Sequence, residues 1–282
     1  MRTRPGLLTA LSFSAGRGSS CILAMILDGK MPRPNNFIVC SANPGMENKQ
    51  TLILRDSYRV ECEAQDIPFL QVDRNLYQEL MGLKASGATR FDLPPFWTKN
   101  RETGKKGRLL QMCTEAYKIA PMDKIIREWM HDNLGVSKTS RRIGTGTLIK
   151  LIGFSNNEWH RIKEACQKYV QFEYPLIERV MNDEDLTNYF IDNGRQVPPR
   201  SVCNACYAND VEYLKAMFET RPDDWLQAVS IDEEIRDLTQ VGVTDECYVS
   251  STLLPLRVMA AMDFENLTDQ ELIRCHSGHC FV

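Results

Sequence analysis

Cysteine is the residue type in this sequence that is best suited to inorganic chemistry. The chain has 282 residues, of which 10 are cysteines. Cys203 and Cys206 have the Cys-x-x-Cys spacing of a metal-binding turn or a redox pair. Cys113 precedes a predicted helix, whose dipole would favour a thiolate. These three residues are therefore candidate metal ligands.

The end of the chain supplies further candidate ligands. Cys275 and Cys280 enclose two histidines in Cys-His-Ser-Gly-His-Cys. If one tail cysteine joins Cys113, Cys203 and Cys206, the ligands are scattered along the chain, and we favour a [4Fe–4S] cluster. If both tail cysteines join Cys203 and Cys206, two local pairs result, which is typical of zinc. Small buried cysteines without any metal are the remaining alternative.

The other cysteines carry no ligand spacing. We predict that Cys21, Cys40 and Cys166 lie on apolar faces in the core, whereas Cys62 and Cys247 fall into no pattern. A chain of this length does not need disulfides to hold a core, and the apolar stretch after Arg4 is short for a signal peptide. We therefore expect a reduced, cytoplasmic protein.

A second group of residues, Ser12 to Ser20, could bind an anion. It reads Ser-Phe-Ser-Ala-Gly-Arg-Gly-Ser-Ser between a predicted strand and an apolar helix. Glycines allow close approach of the backbone, and serine hydroxyls and the N–H groups of a helix N-terminus donate to phosphate oxygens. The stretch is neither a Walker A loop nor a dinucleotide-binding Gly-x-Gly-x-x-Gly motif. An ordinary turn of small residues is the alternative.

Four basic residues fall near this predicted site: Arg17, Arg108, Lys118 and Arg161. Each could offset the charge of an anionic ligand, and each could equally be a solvated surface cation. The net charge of −3 gives no general reason to expect nucleic acid as a partner. No apolar run approaches the roughly 20 residues of a membrane span, so we expect no membrane association.

Alternating strand and helix signals in the first part of the chain predict an α/β fold with a parallel sheet covered by helices on both faces. We predict strands at 7–13, 37–40, 68–72 and 147–154, and helices at 21–27, 48–64, from Pro121 and at 157–168. Residues 82–107 are predicted to form a mobile loop. Short helices are predicted near Asp210 and Asp223. We divide the chain into an α/β domain at 1–197 and a helical cysteine-containing region at 198–282.

Several segments, in order along nearly the whole chain, resemble one known family. Ser14 to Ser20 is similar to the PP-loop, the pyrophosphate-binding loop of N-type ATP pyrophosphatases and phosphoadenylylsulfate (PAPS) reductases. The likeness extends further to PAPS-reductase-like proteins of phages and mobile elements. The other matching segments are 28–34, 37–47, 111–121 (Gln-Met-Cys-Thr-Glu-Ala-Tyr-Lys-Ile-Ala-Pro), 152–161, 198–206, 224–236 and the cysteine tail.

The resemblance implies a Rossmann-like fold and an adenine nucleotide, either ATP or an adenylyl sulfate, with or without magnesium. It implies an enzyme that adenylates an acceptor with release of pyrophosphate, or that transfers sulfur, on a small molecule or a nucleic acid. A non-catalytic nucleotide-binding subunit with a structural zinc is the alternative, and a homodimer or a larger complex is compatible with either. The implied nucleotide-binding residues are Ser12, Ser14, Gly16, Arg17, Gly18, Ser19, Ser20, Lys118, Gly153 and Arg161. The implied cluster ligands are Cys113, Cys203, Cys206 and Cys280, with Cys275 as the alternative to Cys280.

The sequence departs from the family pattern at two places. Gly18 stands where members that use ATP carry an acidic residue. Residues 42–45, Ala-Asn-Pro-Gly, replace the Asp-Thr-Gly that usually follows the second strand. The tail also does not reproduce the Glu-Cys-Gly-x-His motif of sulfate-reducing members.

Overall fold

The computed structural model describes residues 8–86 and 94–268. The parallel strands in these ranges are β1 (Leu8–Ser12), β2 (Phe37–Asn43), β3 (Phe69–Asp73), β6 (Leu148–Leu151) and β7 (Val170–Glu173). They form one sheet in the order β3-β2-β1-β6-β7. The order reverses between β1 and β6, which makes a switch point where the loops after these two strands diverge.

Helices cover both faces of this sheet. Helices α1 (Arg17–Leu27), α2 (Lys49–Glu63), α5 (Pro175–Glu178) and α6 (Asp183–Asp192) pack on one face around Leu11 and Phe13. Helix α4 (Ala120–Leu134) packs on the other face, where Met122, Ile126 and Met130 contact Leu8 and Ala10. The predicted α/β Rossmann-like class is confirmed. Among the helices described, none has the length and apolar character needed to span a membrane.

A small antiparallel sheet and four more helices form a second core. The strands are β4 (Trp97–Lys99), β5 (Lys106–Arg108) and β8 (Glu246–Tyr248), in the order β5-β4-β8. The helices are α3 (Leu76–Ser86), α7 (Val211–Thr220), α8 (Pro222–Glu234) and α9 (Leu256–Ala261). The sheet and this core combine segments from before and after residue 198, and the two-domain division stays a prediction.

The helix predicted at 157–168 is wrong. A short 3-10 helix spans Asn156–Arg161 and stops before Ile162. The Tyr174 hydroxyl donates to the Lys163 carbonyl at 2.9 Å and accepts from the Lys163 N–H at 3.1 Å, which occupies the backbone groups that a longer helix would use. Because no helical face forms there, Cys166 is exposed rather than buried as predicted, whereas Cys21 and Cys40 are buried.

Part of the segment predicted to be a mobile loop, 82–107, is regular structure. It contains the end of α3, strand β4 and the start of β5, while residues 87–93 of it lie outside the described ranges. Trp97 anchors β4 because its indole is buried and donates to the Tyr207 carbonyl at 2.9 Å. The Asn100 side chain closes the β4–β5 turn by accepting from the Thr103 N–H at 2.9 Å.

An ion-pair network ties the sheet-covering helices together and predicts acid sensitivity. Arg195 donates to Asp28 at 2.6 Å and to Glu61 at 3.0 Å, and its hydrogen bond lowers the pKa of the Asp28 carboxyl. A carboxyl whose pKa is lower in the folded state than in the unfolded state stabilises the fold at pH values above its unfolded pKa, about 3.9. This contribution is lost as the pH falls through the folded pKa. We expect the melting temperature of the wild type to exceed that of Asp28→Asn at pH 7, and the gap to close below about pH 4.

The measurement is thermal unfolding followed by circular dichroism between pH 7 and pH 3. Asp192→Asn, an exposed site in α6, is the control and should change little at any pH. A gap between wild type and Asp28→Asn that is constant with pH would contradict the electrostatic role of this network.

Candidate active site

A cavity of about 1080 Å³ lies at the carboxyl edge of the parallel sheet. The loop after β1 and the loop after β6, which flank the switch point, both line it. Open α/β sheets bind their ligands at this place, and the volume is sufficient for a nucleotide-sized ligand. Most of the residues that the sequence predicts to bind a nucleotide or a metal line this cavity. They are Ser14, Gly16, Arg17, Gly18, Ser19, Cys113, Lys118, Gly153, Arg161, Cys203 and Cys206.

The glycine-serine loop, residues 14–20, is a compact turn that runs directly into α1. Ala15 adopts a left-handed conformation with φ of 53°, which turns the chain from the strand into the helix. The Ser14 N–H donates to Ser19 Oγ at 3.2 Å, and the Gly16 N–H donates to Ser14 Oγ at 3.3 Å. Helix α1 has no side-chain cap and no acidic residue in its first turn, so its N-terminus keeps a positive potential toward the cavity.

Two glycines allow the β1 and β6 loops to touch. A Cβ atom built on Gly18 would lie 1.8 Å from the Gly153 carbonyl oxygen, and one on Gly153 would lie 2.4 Å from the Ser19 nitrogen. Any side chain at either position would push α1 away from the loop after β6. This explains in physical terms why glycine rather than an acidic residue occupies position 18.

Two of the predicted loop serines face elsewhere. Ser20 is fully buried within α1, and Ser12 is half-buried at the end of β1. Neither is among the residues that line the cavity. The predicted binding roles of the other loop residues remain predictions that the geometry permits.

The three predicted basic residues in the cavity differ in their surroundings. Arg17 is exposed at the first turn of α1. Arg161 is buried, pairs with Glu158 and lies with its guanidinium carbon 4.1 Å from the ring centre of Phe154. Arg17 is therefore free to follow a ligand, while Arg161 is held in place by its neighbours.

Lys118 is a buried cation next to the cysteines. A π-helical turn, Glu115–Ile119, precedes α4 and places Lys118 where its ammonium contacts Glu47 Oε1 at 2.6 Å. Burial alone would lower the pKa of the Lys118 ammonium, but the neighbouring Glu47 carboxylate raises it above its ordinary value. Lys118 therefore stays protonated at neutral pH and brings a positive charge to the cysteine side of the cavity.

Cys113, Cys203 and Cys206 line the same cavity, and their role as metal ligands stays a prediction. Burial raises the pKa of all three thiols, and for Cys206 the value reaches about 11. The eight cysteines in the described residues are free thiols. In residues 8–86 and 94–268, no three His, Cys, Asp or Glu side chains are grouped as the site of a single metal ion. Cys275 and Cys280 lie outside those ranges.

The turn that carries Cys203 and Cys206, residues 199–209, is held rigidly; we refer to it as the cysteine turn. Asn209 Nδ2 donates to the carbonyls of Cys203 at 3.1 Å and Asn204 at 3.0 Å. The Asn204 N–H donates to the Met46 carbonyl at 2.7 Å. Asn48 Nδ2 donates to the Arg200 carbonyl at 3.1 Å. Contacts within the turn and from the segment at 46–48 thus fix the backbone on which the two thiols stand.

Aromatic residues that the sequence analysis did not single out form another wall of the cavity. Trp97 and Tyr207 both line it. Lys106 Nζ lies 4.4 Å from the Trp97 ring centre, and the Arg108 guanidinium carbon lies 5.0 Å from that of Tyr207. Residues 99–108 contain three lysines and two arginines, which is a local signal for a basic wall. The ring of Tyr207 comes from a distant part of the sequence and is brought here only by the fold.

Removing the Asn209 side chain is expected to loosen the cysteine turn. In Asn209→Ala, two carbonyls next to the thiols lose their donor, and loss of a hydrogen bond that orients a metal ligand typically weakens metal binding by about 10–100-fold. We expect a loss of iron or zinc affinity at the low end of this range, measured by competition with a chelator. Asn133→Ala removes a bond from Nδ2 to the Trp129 carbonyl on α4 and should leave the affinity unchanged. Equal affinities for Asn209→Ala and wild type would contradict a supporting role.

Taken together, the five-stranded parallel sheet and its switch-point cavity place this chain in the class of Rossmann-like α/β proteins. No protein-family model matches the sequence, and no curated protein matches it. Among solved structures, the chain is similar to the U34-tRNA thiolase NcsA from Methanococcus maripaludis, determined with its [4Fe-4S] cluster. The TM-score is 0.39 and the sequence identity 11%, over 96% of this chain and 77% of the thiolase. At this level the likeness assigns no activity to the chain.

Proposed function

We propose that this protein is a PP-loop enzyme that binds an adenine nucleotide and a cysteine-held [4Fe–4S] cluster in one cavity, and that it activates an acceptor for sulfur transfer. A single observation carries the proposal. The glycine-serine loop at the N-terminus of α1 and the thiols of Cys113, Cys203 and Cys206 line the same cavity at the switch point of a parallel sheet.

The nucleotide would place its phosphates against the glycine-serine loop. The backbone N–H groups at the start of α1 and the exposed Arg17 supply positive potential there. Lys118, which is paired with Glu47, lines the same cavity. In an adenylation, an acceptor oxygen attacks the α-phosphorus while the bond to the β-phosphate oxygen breaks, and pyrophosphate leaves. The protein contributes mainly by positioning the reactants and stabilising charge.

The cysteine donors fit an iron–sulfur cluster. Thiolates are the ligands of such clusters, three of the predicted four line the cavity, and the fourth would be Cys280 or Cys275. A bound cluster would supply a site at which sulfur can be held or delivered. Zinc on Cys203 and Cys206 with both tail cysteines is the alternative donor set. In either case Asn209, Asn204 and Asn48 hold the backbone of the cysteine turn.

The proposal is tested by incubating anaerobically purified full-length protein with ATP labelled at the α-phosphate, in the presence of magnesium and candidate acceptors. We expect pyrophosphate to be released as the acceptor is adenylated. When sulfide is added as the sulfur donor, it displaces AMP from the adenylated acceptor, and AMP should be released in an amount equal to the pyrophosphate. Binding of ATP without any turnover would favour a nucleotide-binding subunit instead. No binding of ATP or of an adenylyl sulfate would overturn the proposal.

A further inference from the structure

Ser201 has a hydroxyl that the protein itself does not use. Its side chain is 4% exposed, and Oγ is buried without a hydrogen-bond partner among the described residues. A buried hydroxyl that stays unsatisfied is costly, which points to a partner that binds from outside the chain. Ser201 lines the cavity, so such a partner has a place to bind.

Ser201 stands directly against the glycine-serine loop. A Cβ atom built on Gly16 would lie 3.1 Å from the Cβ of Ser201, so the two segments are in close contact at this glycine. Ser14 and Ser19 have their hydroxyls engaged in holding the turn. Ser14 Oγ and Ser19 Oγ lie 3.3 Å apart, and Ser19 Oγ donates to the Gly16 carbonyl oxygen at 3.4 Å. Ser20 Oγ has no hydrogen-bond partner either, but Ser20 does not line the cavity. Among Ser14, Ser19 and Ser201, the serines of the two segments that line it, Ser201 carries the unpartnered hydroxyl.

We infer that Ser201 is a phosphate-binding residue, which adds a hydroxyl donor to the anion site beside the glycine-serine loop. This inference rests on the proposed function, because it assigns Ser201 to the phosphates of the same nucleotide. A serine hydroxyl donates to phosphate oxygens, and α1 brings a positive potential to the same place. A rotation about χ1 between staggered positions redirects Oγ without moving the backbone.

The backbone on either side of Ser201 is fixed in advance. The Arg200 carbonyl accepts from Asn48 Nδ2 at 3.1 Å, and the Asn204 N–H donates to the Met46 carbonyl at 2.7 Å. A donor carried by a rigid segment loses little conformational entropy when its ligand binds. Ser201 is also only two residues from Cys203, so the segment that holds the metal ligands would also touch the nucleotide.

The test is calorimetric titration of the full-length holoprotein with ATP, pyrophosphate and adenosine, in wild type, Ser201→Ala and Ser57→Ala. Ser57 is an exposed residue of α2 whose hydroxyl donates to the Leu54 carbonyl, and its variant is the control. We expect Ser201→Ala to bind ATP and pyrophosphate about tenfold more weakly, which corresponds to about 1.4 kcal/mol, and to bind adenosine as the wild type does. Metal content should stay unchanged.

The outcomes separate the inference from the proposal on which it rests. If wild type binds ATP and pyrophosphate but Ser201→Ala binds them equally well, the assignment of Ser201 is wrong and the proposed function stands. If Ser201→Ala weakens adenosine as much as ATP, the residue acts structurally and the assignment is again wrong. If wild type binds none of the phosphates, both fail. Ser201→Gly also lacks the hydroxyl and should show the same pattern of affinities as Ser201→Ala. If one of the two variants fails to fold, the other still tests the assignment.

Discussion

Cys203→Ser is expected to remove most of the metal from the protein, while Cys166→Ser leaves it in place. Cys203 lines the cavity and belongs to the rigid cysteine turn, whereas Cys166 is exposed. A serine hydroxyl remains protonated at neutral pH and does not replace a thiolate on iron or zinc. Loss of a partner that only orients a metal ligand typically weakens metal binding about 10–100-fold. Because Cys203 is itself a proposed ligand, we expect its replacement to weaken metal binding at least as much.

The measurement is iron, acid-labile sulfide and zinc per chain after anaerobic purification of wild type and the two variants. Cys113→Ser and Cys206→Ser should behave as Cys203→Ser does, because all three thiols line the cavity. Retention of full metal content by Cys203→Ser would show that the metal ligands lie elsewhere.

Gly18→Ala is expected to weaken nucleotide binding and to destabilise the fold. The new methyl group would meet the Gly153 carbonyl at 1.8 Å, a backbone atom that cannot swing away. Overpacking of this kind typically costs about 1–3 kcal/mol, and relief of the clash would displace the N-terminus of α1 from the loop after β6. We expect a lower melting temperature and at least a tenfold loss of affinity for ATP.

Gly82→Ala is the matched control for Gly18→Ala. Gly82 lies within α3, and a Cβ atom built there meets nothing within 4 Å. Replacing a helical glycine with alanine stabilises by up to about 1 kcal/mol, so this variant should melt at the same temperature or slightly higher and bind ATP as the wild type does. Tight ATP binding by Gly18→Ala would contradict the close contact between the two loops.

Much of the parallel sheet could be predicted from the sequence because its elements have local signals. The apolar runs near Leu11 and Val39 mark buried strands, and Asn48 marks the start of α2, where its side chain accepts from the Thr51 N–H at 2.8 Å. The spacing of Met122, Ile126 and Met130 predicts the buried face of α4, which the structure confirms. In each case the information lies within a few residues of the element itself.

The errors have a different physical origin. The helix predicted beyond Arg161 is prevented by the Tyr174 hydroxyl, which comes from the segment after β7. Strand β4 exists because it pairs with β8, about 150 residues later in the chain. Neither cause is visible in the local sequence, because both depend on contacts that only the folded chain provides.

The candidate site shows the same division. The glycine-serine loop, Lys118 and three of the cysteines could be proposed from motifs, and the structure brings them to one cavity. Ser201, Asn209 and Glu47 could not, since a lone serine, asparagine or glutamate has no distinguishing spacing. Their roles follow from an unpartnered hydroxyl, a pair of backbone contacts and a buried ion pair.

The central claim is that thiols in the nucleotide cavity hold an iron–sulfur cluster. The most direct measurement is the visible absorption spectrum of anaerobically purified full-length protein, together with assays of iron, sulfide and zinc. The account predicts a brown protein with iron and sulfide in equal amounts, close to four of each per chain as the [4Fe–4S] formula requires. A colourless protein with one zinc per chain and no sulfide would contradict it.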